Sequence, residues 1–332
     1  MRAFVQSIVV LVSLCGAAAA GLAQSSAPEP RVYRLDHAHS DVAFQARYLK
    51  LMEVEGRFRE WDAAIVNPTS PGDGAIAIVL RTPSLDTGNE NRDDHLKSPD
   101  FFDVEGYPVI VFTSGDVTER GDGFVARGTL EMHGVRREIE VPFRPAYPPT
   151  TDAKGNQRAG FVGEVTLDRK EYGIVGGSRF NQAFDPRVSV IDDDVKIVFG
   201  VHVMVSPIRS ARVDSLVSLV EAEGVAAAVA SWNADFPAGE GEEVERRRMR
   251  MAGLYNAAGY RLLREGEARD AVELLRLAVL GAPGSARAMS GLAEGYARAG
   301  LSEQAAEAAR RALEIDPHET RALALEAWLR RR

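Results

Sequence analysis

The spacing of apolar residues along this chain changes once, near Val205, and that change constrains the fold more than any single motif. From Val32 to Val205 the period is two. In "DVAFQARY", Val42, Phe44, Ala46 and Tyr48 share one face, and Asp41, Gln45 and Arg47 share the other. The same alternation aligns Ile76, Ile78 and Leu80; Ile110 and Phe112; Ala126, Gly128, Leu130 and Met132; Ile139, Val141 and Phe143. It continues through Phe161, Val165 and Leu167, and through Val195, Ile197, Phe199, Val201 and Val203. Successive side chains of a strand point to opposite faces, so these runs mark half-buried antiparallel strands. Turn-forming stretches such as "NPTSPGDG", "RGDG" and "PPTTDAKGN" lie between them. At least seven such strands predict a barrel or a sandwich. One insertion, "NENRDDHLKSPDFFDVEGYP", breaks the period, and Asp93 to Ser98 within it reads as a short helix or a packed loop.

Beyond Val205 the apolar residues recur at three and four, and only helices are expected. Gly266 recurs as Gly300, Ala271 as Ala305, Ala278 as Ala312 and Pro283 as Pro317, each at an offset of 34 residues. That is the period of the tetratricopeptide repeat. Small residues at Gly259, Ala271 and Ala278 permit two helices to approach closely, and Pro283 and Pro317 end the second helix of each unit. Two units, Gly253–Pro283 and Arg287–Pro317, precede a last helix expected to cap them; the second departs from the pattern at Ala309, where a large apolar residue is usual.

The first residues differ from the rest. Arg2, the apolar run "AFVQSIVVLVSLCGAAAA" and small residues at Gly21 and Ala23 have the layout of a secretory signal peptide, with cleavage expected after Ala23. Cys15 follows Leu14 rather than a small residue, which argues against lipid attachment there. It is the only cysteine, so a processed chain has no disulfide and depends on its cores. The net charge of −8 argues against a nucleic-acid backbone as partner, since such binding needs clustered Lys and Arg. After removal of the leader no segment is apolar and long enough to span a membrane. The expected organisation is a signal peptide (1–23), a linker (24–31), a barrel (32–205), a helical linker region (206–252) and repeats with a capping helix (253–332). Because the period changes at Val205-Ser206-Pro207, a chain ending at Val205 is expected to fold alone.

Five stretches together resemble the YceI-like family of exported polyisoprenoid-binding proteins: "HSDVAFQARYLKLMEVEGRF", "SLDTGNENRDDHLKSPDFFDVEGYPVIVFTS", "ARGTLEMHGVRREIEVPF", "AGFVGEVTLDRKEYGI" and "DDDVKIVF". Asp86-Thr87-Gly88, Arg92-Asp93, His95-Leu96, Phe101-Phe102 and Tyr107-Pro108 are the most specific part. The resemblance implies an N-terminal antiparallel lipocalin-like β-barrel; with the 34-residue units that follow, the expected fold is α+β in two domains, the barrel and then an all-α tetratricopeptide-like helical domain. It also implies an apolar tunnel for a long isoprenoid, such as a quinone tail or a polyprenyl lipid, and no catalysis. The family usually carries His where this chain has Tyr48, so the pocket mouth is expected to differ.

The inward faces supply the candidate tunnel lining: Phe44, Tyr48, Phe58, Ile78, Leu80, Ile110, Phe112, Leu130, Val141, Phe161, Ile197 and Phe199. A barrel of about eight strands holds side chains or one slender apolar ligand, and patterning alone does not separate a hollow barrel from a filled one. Arg92, Asp93 and His95 read as an ion-paired loop anchor rather than as an acid–base pair. His37 and His39 could share one face of a strand and hold zinc, but a zinc site needs three or four ligands and the other histidines have no paired spacing. His39 is instead expected at the hydrogen-bonded end of the first strand. Asp192-Asp193-Asp194 reads as a solvated turn, "GIVGGSRF" as a loop near one barrel end and "EEVERRRMR" as a solvated helix face. No catalytic, metal or cofactor residue is assigned, beyond a possible bound isoprenoid or quinone. The leading reading is an exported carrier of an apolar lipid whose repeats dock an unknown protein partner. The rivals are an adaptor with a filled barrel, and a lipid-modifying enzyme using the Asp93–His95 loop.

Overall fold

The structure, a computed structural model, describes residues 32–67, 74–153, 155–176, 190–205 and 211–330. The expected leader and linker, most of "NPTSPGDG", the end of "GIVGGSRF" and the Ser206-Pro207 junction lie outside the described residues.

Among the described residues the alternating half forms eleven strands: β1 (Val32–Leu35), β2 (Asp41–Tyr48), β3 (Met52–Phe58), β4 (Trp61–Val66), β5 (Ala75–Arg81), β6 (Leu85–Asp86), β7 (Val109–Arg120), β8 (Gly123–Met132), β9 (Val135–Thr151), β10 (Gln157–Asp168) and β11 (Ile191–Val205). Every pairing is antiparallel, and from β7 to β11 each strand pairs with the next. Strand β1 pairs both with β4 and with the end of β11, which closes the sheet on itself. Strands β2 and β3 extend β1 and β4 along the same wall, and β6 adds to β3. The result is a lipocalin-like antiparallel barrel. Its interior holds one apolar cluster that includes Phe44, Phe58, Ile110, Phe112, Leu130 and Phe161.

The insertion folds as α1 (Glu90–Lys97), capped by Asn89, whose side chain accepts from the Arg92 amide at 3.1 Å. It sits beside β6 at the barrel end where β2 and β10 finish and β11 begins. His37–His39 form a 3-10 turn between β1 and β2 rather than part of a strand. This corrects the expected strand geometry: His37 reaches Asp62 at 3.7 Å, while His39 bonds Asp36 at 3.0 Å. Asp192–Asp194 lie inside β11 at a register shift, not in a free turn, and Asp193 faces Arg169 and Lys170.

The second half comprises α2 (Ala211–Glu223), α3 (Val225–Asp235), α4 (Glu242–Glu265), α5 (Ala268–Gly281), α6 (Ala286–Arg298), α7 (Ser302–Ile315) and α8 (Thr320–Leu329). The pairs α4–α5 and α6–α7 repeat one arrangement at the 34-residue offset seen in the sequence. Gly266 and Gly300 take left-handed φ of 91° and 75° after the first helix of each pair, a conformation that only glycine adopts freely. Ala271, Ala305, Ala278 and Ala312 are all fully buried. Helix α4 crosses Gly253 unbroken, so the expected boundary at 252/253 falls inside one helix.

The two halves pack on one another through a common apolar cluster. Helix α8 lies against β1, β4, β5 and β7. Val32, Ala64, Val66, Ala75 and Ala77 on the outside of the barrel join one apolar cluster with Leu325 and Trp328 of α8. Thr320 donates to Asp62 at 3.1 Å, and the Val32 amide reaches Glu294 at 3.5 Å. Small side chains on β4 and β5 let the helix approach the wall. The near-continuous apolar runs "AAIV" and "AIAIVL" carry this signal, because a strand buried on both faces loses its alternation.

Glu319 caps α8 by accepting from the Ala322 amide at 2.7 Å. Burial, reinforced by Asp62 and Asp316, pushes its carboxyl up to about 7. The unfolded chain releases this proton near pH 4.5, so the fold holds it through the window from about 4.5 to 7 and stability falls as pH rises across that window. Glu319→Gln keeps the capping oxygen and removes the cost of the charge. Its melting temperature is expected to exceed the parent's at pH 8, by the equivalent of at most about 3 kcal/mol, and to match it near pH 4. Paired thermal melts at the two pH values check this.

Candidate ligand-binding site

The barrel encloses a cavity of about 400 Å³. Its wall contains all twelve residues of the candidate lining, from Phe44 and Tyr48 on β2 to Ile197 and Phe199 on β11. They meet there because the inward faces of consecutive antiparallel strands turn toward one axis. The aromatic rings do not fill that space. The Phe44 ring lies over Gly56, where a Cβ would come within 2.3 Å of it, and the Phe199 ring lies over Gly163, where a Cβ would come within 2.5 Å. Absent side chains at two strand positions therefore hold these rings flat on the wall. Phe58 meets Phe44 and Phe102 at 6.0 Å, and Phe143 meets Phe161 edge-on at 5.6 Å.

Among the described residues, the polar side chains of the wall other than backbone are Arg47, Tyr48, Arg92, His95 and Arg169. All five lie at the barrel end where α1 sits. The cavity is thus amphipathic along its length, apolar in its depth and cationic at one mouth. Arg169 donates to the carbonyls of Ile174 at 2.6 Å and of Ile191 and Asp192 at 3.1 Å. Burial pulls its guanidinium below the ordinary value, opposed by Asp193 and Asp168. It pins the turn after β10 to the start of β11. Arg92 donates to the Thr87 hydroxyl at 2.7 Å and its carbonyl at 2.9 Å. Asp93 accepts from the Thr87 amide at 2.9 Å and hydroxyl at 2.5 Å. The expected anchor therefore runs through Thr87. Only Arg92 and His95 of that trio also reach the cavity wall. His95 sits 3.3 Å from Asp100 and edge-on to Phe101.

Several wall residues were not among the sequence candidates. Ala63 and Ile65 alternate correctly in "WDAAIV" and were legible by period. Leu96, Phe101 and Phe102 come from the insertion, where no period exists, and Arg47 belongs to the outward face of β2 by alternation. Arg169 reaches the wall only through the 3-10 turn Arg169–Tyr172. No three His, Cys, Asp or Glu side chains gather as metal ligands among the described residues. No helix among them is long and apolar enough to cross a membrane.

Comparison with known proteins matches residues 33–203 to the YceI-like domain. A UPF0312 protein of Vibrio cholerae is 31% identical over 139 residues, covering 41% of this chain and 73% of the relative. Among solved structures, BcnA of Burkholderia cenocepacia shares 22% identity over 52% of this chain and 99% of its own, with a TM-score of 0.44. A polyisoprenoid binding domain from Saccharophagus degradans shares 17% identity over 52% of this chain and 97% of its own, with a TM-score of 0.38. The helical half after Val205 lies outside the matched domain. With a matched segment that takes in every strand of the barrel and about half of the chain, the chain belongs to the YceI-like family.

Proposed function

We propose that the barrel is a non-enzymatic carrier of one isoprenoid or similar apolar lipid, a quinone tail or a polyprenyl chain. The observation that carries this reading is the cavity itself, apolar in depth with its polar side chains confined to one mouth. A branched hydrocarbon chain makes almost no hydrogen bonds, so its affinity comes from burial, about 0.8 kcal/mol per CH₂ removed from water. A cavity of about 400 Å³ lies within the usual range for small-molecule sites. The test is mass spectrometry of an organic extract of protein purified from its native host. One isoprenoid species per barrel is expected. Protein that folds and yields no lipid sinks the carrier and leaves the adaptor with a filled barrel.

Export and protein docking complete the proposal. The Arg2 start, the apolar run and the small residues at Gly21 and Ala23 support export, and the mature chain is expected to begin near Gln24 by intact mass. A mature chain beginning at Met1 overturns it. The two 34-residue units support a docking role for the helices, because repeats of this period build extended surfaces for protein partners. In this chain the barrel wall takes part of that surface: Val32 and Met204 border a cleft with α4 and α6.

A further inference from the structure

Among the described residues seven large hydrophobic side chains are exposed, and four of them, Leu51, Met52, Tyr107 and Val175, sit at one end of the barrel. That end is the cationic mouth of the cavity. Leu51 ends the turn between β2 and β3 and Met52 opens β3, and they are 84% and 59% exposed. Hydrogen bonds join this turn to the rest of the rim. The Leu49 amide donates to Val190 at 2.8 Å, Arg169 ties Ile191 to Ile174, which precedes Val175, and His133 lies 3.0 Å from the Tyr172 carbonyl. The Tyr107 ring packs on His133 at 4.5 Å. The four residues therefore belong to one continuous rim.

The turn is also held in an uncommon shape. Leu49 and Lys50 both adopt left-handed φ, 51° and 57°, at the two central positions where hairpins prefer Asn-Gly. This geometry carries Leu51 out of the barrel at a position where folding gains nothing from it. Strain that burial does not reward points to a contact made elsewhere. Three carboxylates of this rim are paired, Asp193 with Lys170 at 2.9 Å, Glu171 with Arg137 at 3.5 Å and Glu53 with Arg47 at 3.8 Å, while Asp103 and Glu105, beside Tyr107, have no ion pair within 4.0 Å among the described residues. Lys50, beside Leu51, has no ion pair within 4.0 Å among the described residues. An apolar side chain flanked by an ammonium on a flexible stem suits the interface of a bilayer, where the chain enters the acyl region and the charge meets lipid phosphate.

We propose that this rim docks on a phospholipid bilayer, so that the cavity mouth opens onto the membrane. The proposal rests on the carrier reading for its purpose: a cargo that is nearly insoluble in water exchanges faster when the mouth touches the phase in which it dissolves. The docking surface itself rests on the rim residues alone.

The test is flotation of the full-length protein with vesicles of phosphatidylethanolamine and phosphatidylglycerol. The parent is expected to float. The double variant Leu51→Ser, Met52→Ser, at exposed positions outside the cavity wall, is expected to partition about tenfold less or lower, since two apolar side chains no longer enter the membrane. Leu280→Ser, which removes a residue 51% exposed on the helical half, serves as the control and is expected to float like the parent. Equal flotation of parent and double variant overturns the proposal, as does a parent that stays in solution. A parent that sediments as a dimer while the double variant is monomeric also overturns it and gives the rim to a second copy of the chain. Lipid extracted from the same samples separates this result from the carrier reading. Flotation without bound lipid refutes the carrier and supports the docking surface, whereas bound lipid without flotation does the reverse.

Discussion

Phe112→Asp is expected to abolish lipid binding. Phe112 lies on β7 opposite Ile78 and Leu130, is 7% exposed and forms part of the cavity wall. A carboxylate there faces the apolar wall of the cavity. Burying an uncompensated charge costs several kcal/mol, and here water entering the cavity offsets part of that cost. Both responses work against an isoprenoid: a hydrated or protonated carboxyl group at this position replaces the apolar contact that holds the chain. Extracts of the variant should contain less than about a tenth of the parent's lipid, since 1.4 kcal/mol already gives tenfold. Phe112→Leu separates chemistry from folding, because it keeps an apolar wall and enlarges the cavity. It should melt lower than the parent and retain its lipid. Full lipid content in a folded Phe112→Asp variant would show that the cargo lies elsewhere.

Much of this wall was legible because alternation is a local property. Once a strand is recognised, the face of every second residue follows, and closing the sheet brings those faces together. Phe44, Ile78, Phe112 and Phe199, far apart in sequence, meet for that reason alone. Three features were not accessible in this way. Arg47 and Arg169 reach the mouth through a strand end and a 3-10 turn, where the pleat no longer dictates direction. Leu96 and Phe101 come from an insertion without a period, so only its folded shape aims them inward. The third is the contact between the halves. It was written in "AAIV" and "AIAIVL" as a loss of alternation, yet a strand buried on both faces looks like a strand with a weak pattern until its covering helix is known. The change of period at Val205 marks a change of secondary structure and does not mark the edge of a core.

The shared core leads to the second large effect. Ending the chain at Pro317 removes α8 and is expected to destabilise the barrel as well as the helices. Strands β5 and β7, which α8 covers from outside, carry Ile78, Leu80, Ile110 and Phe112 on their inner face. One pair of strands thus lies between the cargo on one side and α8 on the other. Without the helix, Ala64, Val66, Ala75 and Ala77 are left without the apolar partners of their cluster. Leu325→Ala is the milder form of the same change. Leu325 is fully buried, and a Leu→Ala replacement at such a site costs about 2–5 kcal/mol. If the halves are one cooperative unit, this variant should unfold in a single transition, with strand and helix signals moving together and lipid released at the same lower temperature. If they are independent, near-ultraviolet and lipid-release signals from the barrel should keep the parent's midpoint while the helical signal shifts alone. That second outcome would overturn the shared core as an energetic unit and restore the barrel as a domain that folds and binds alone.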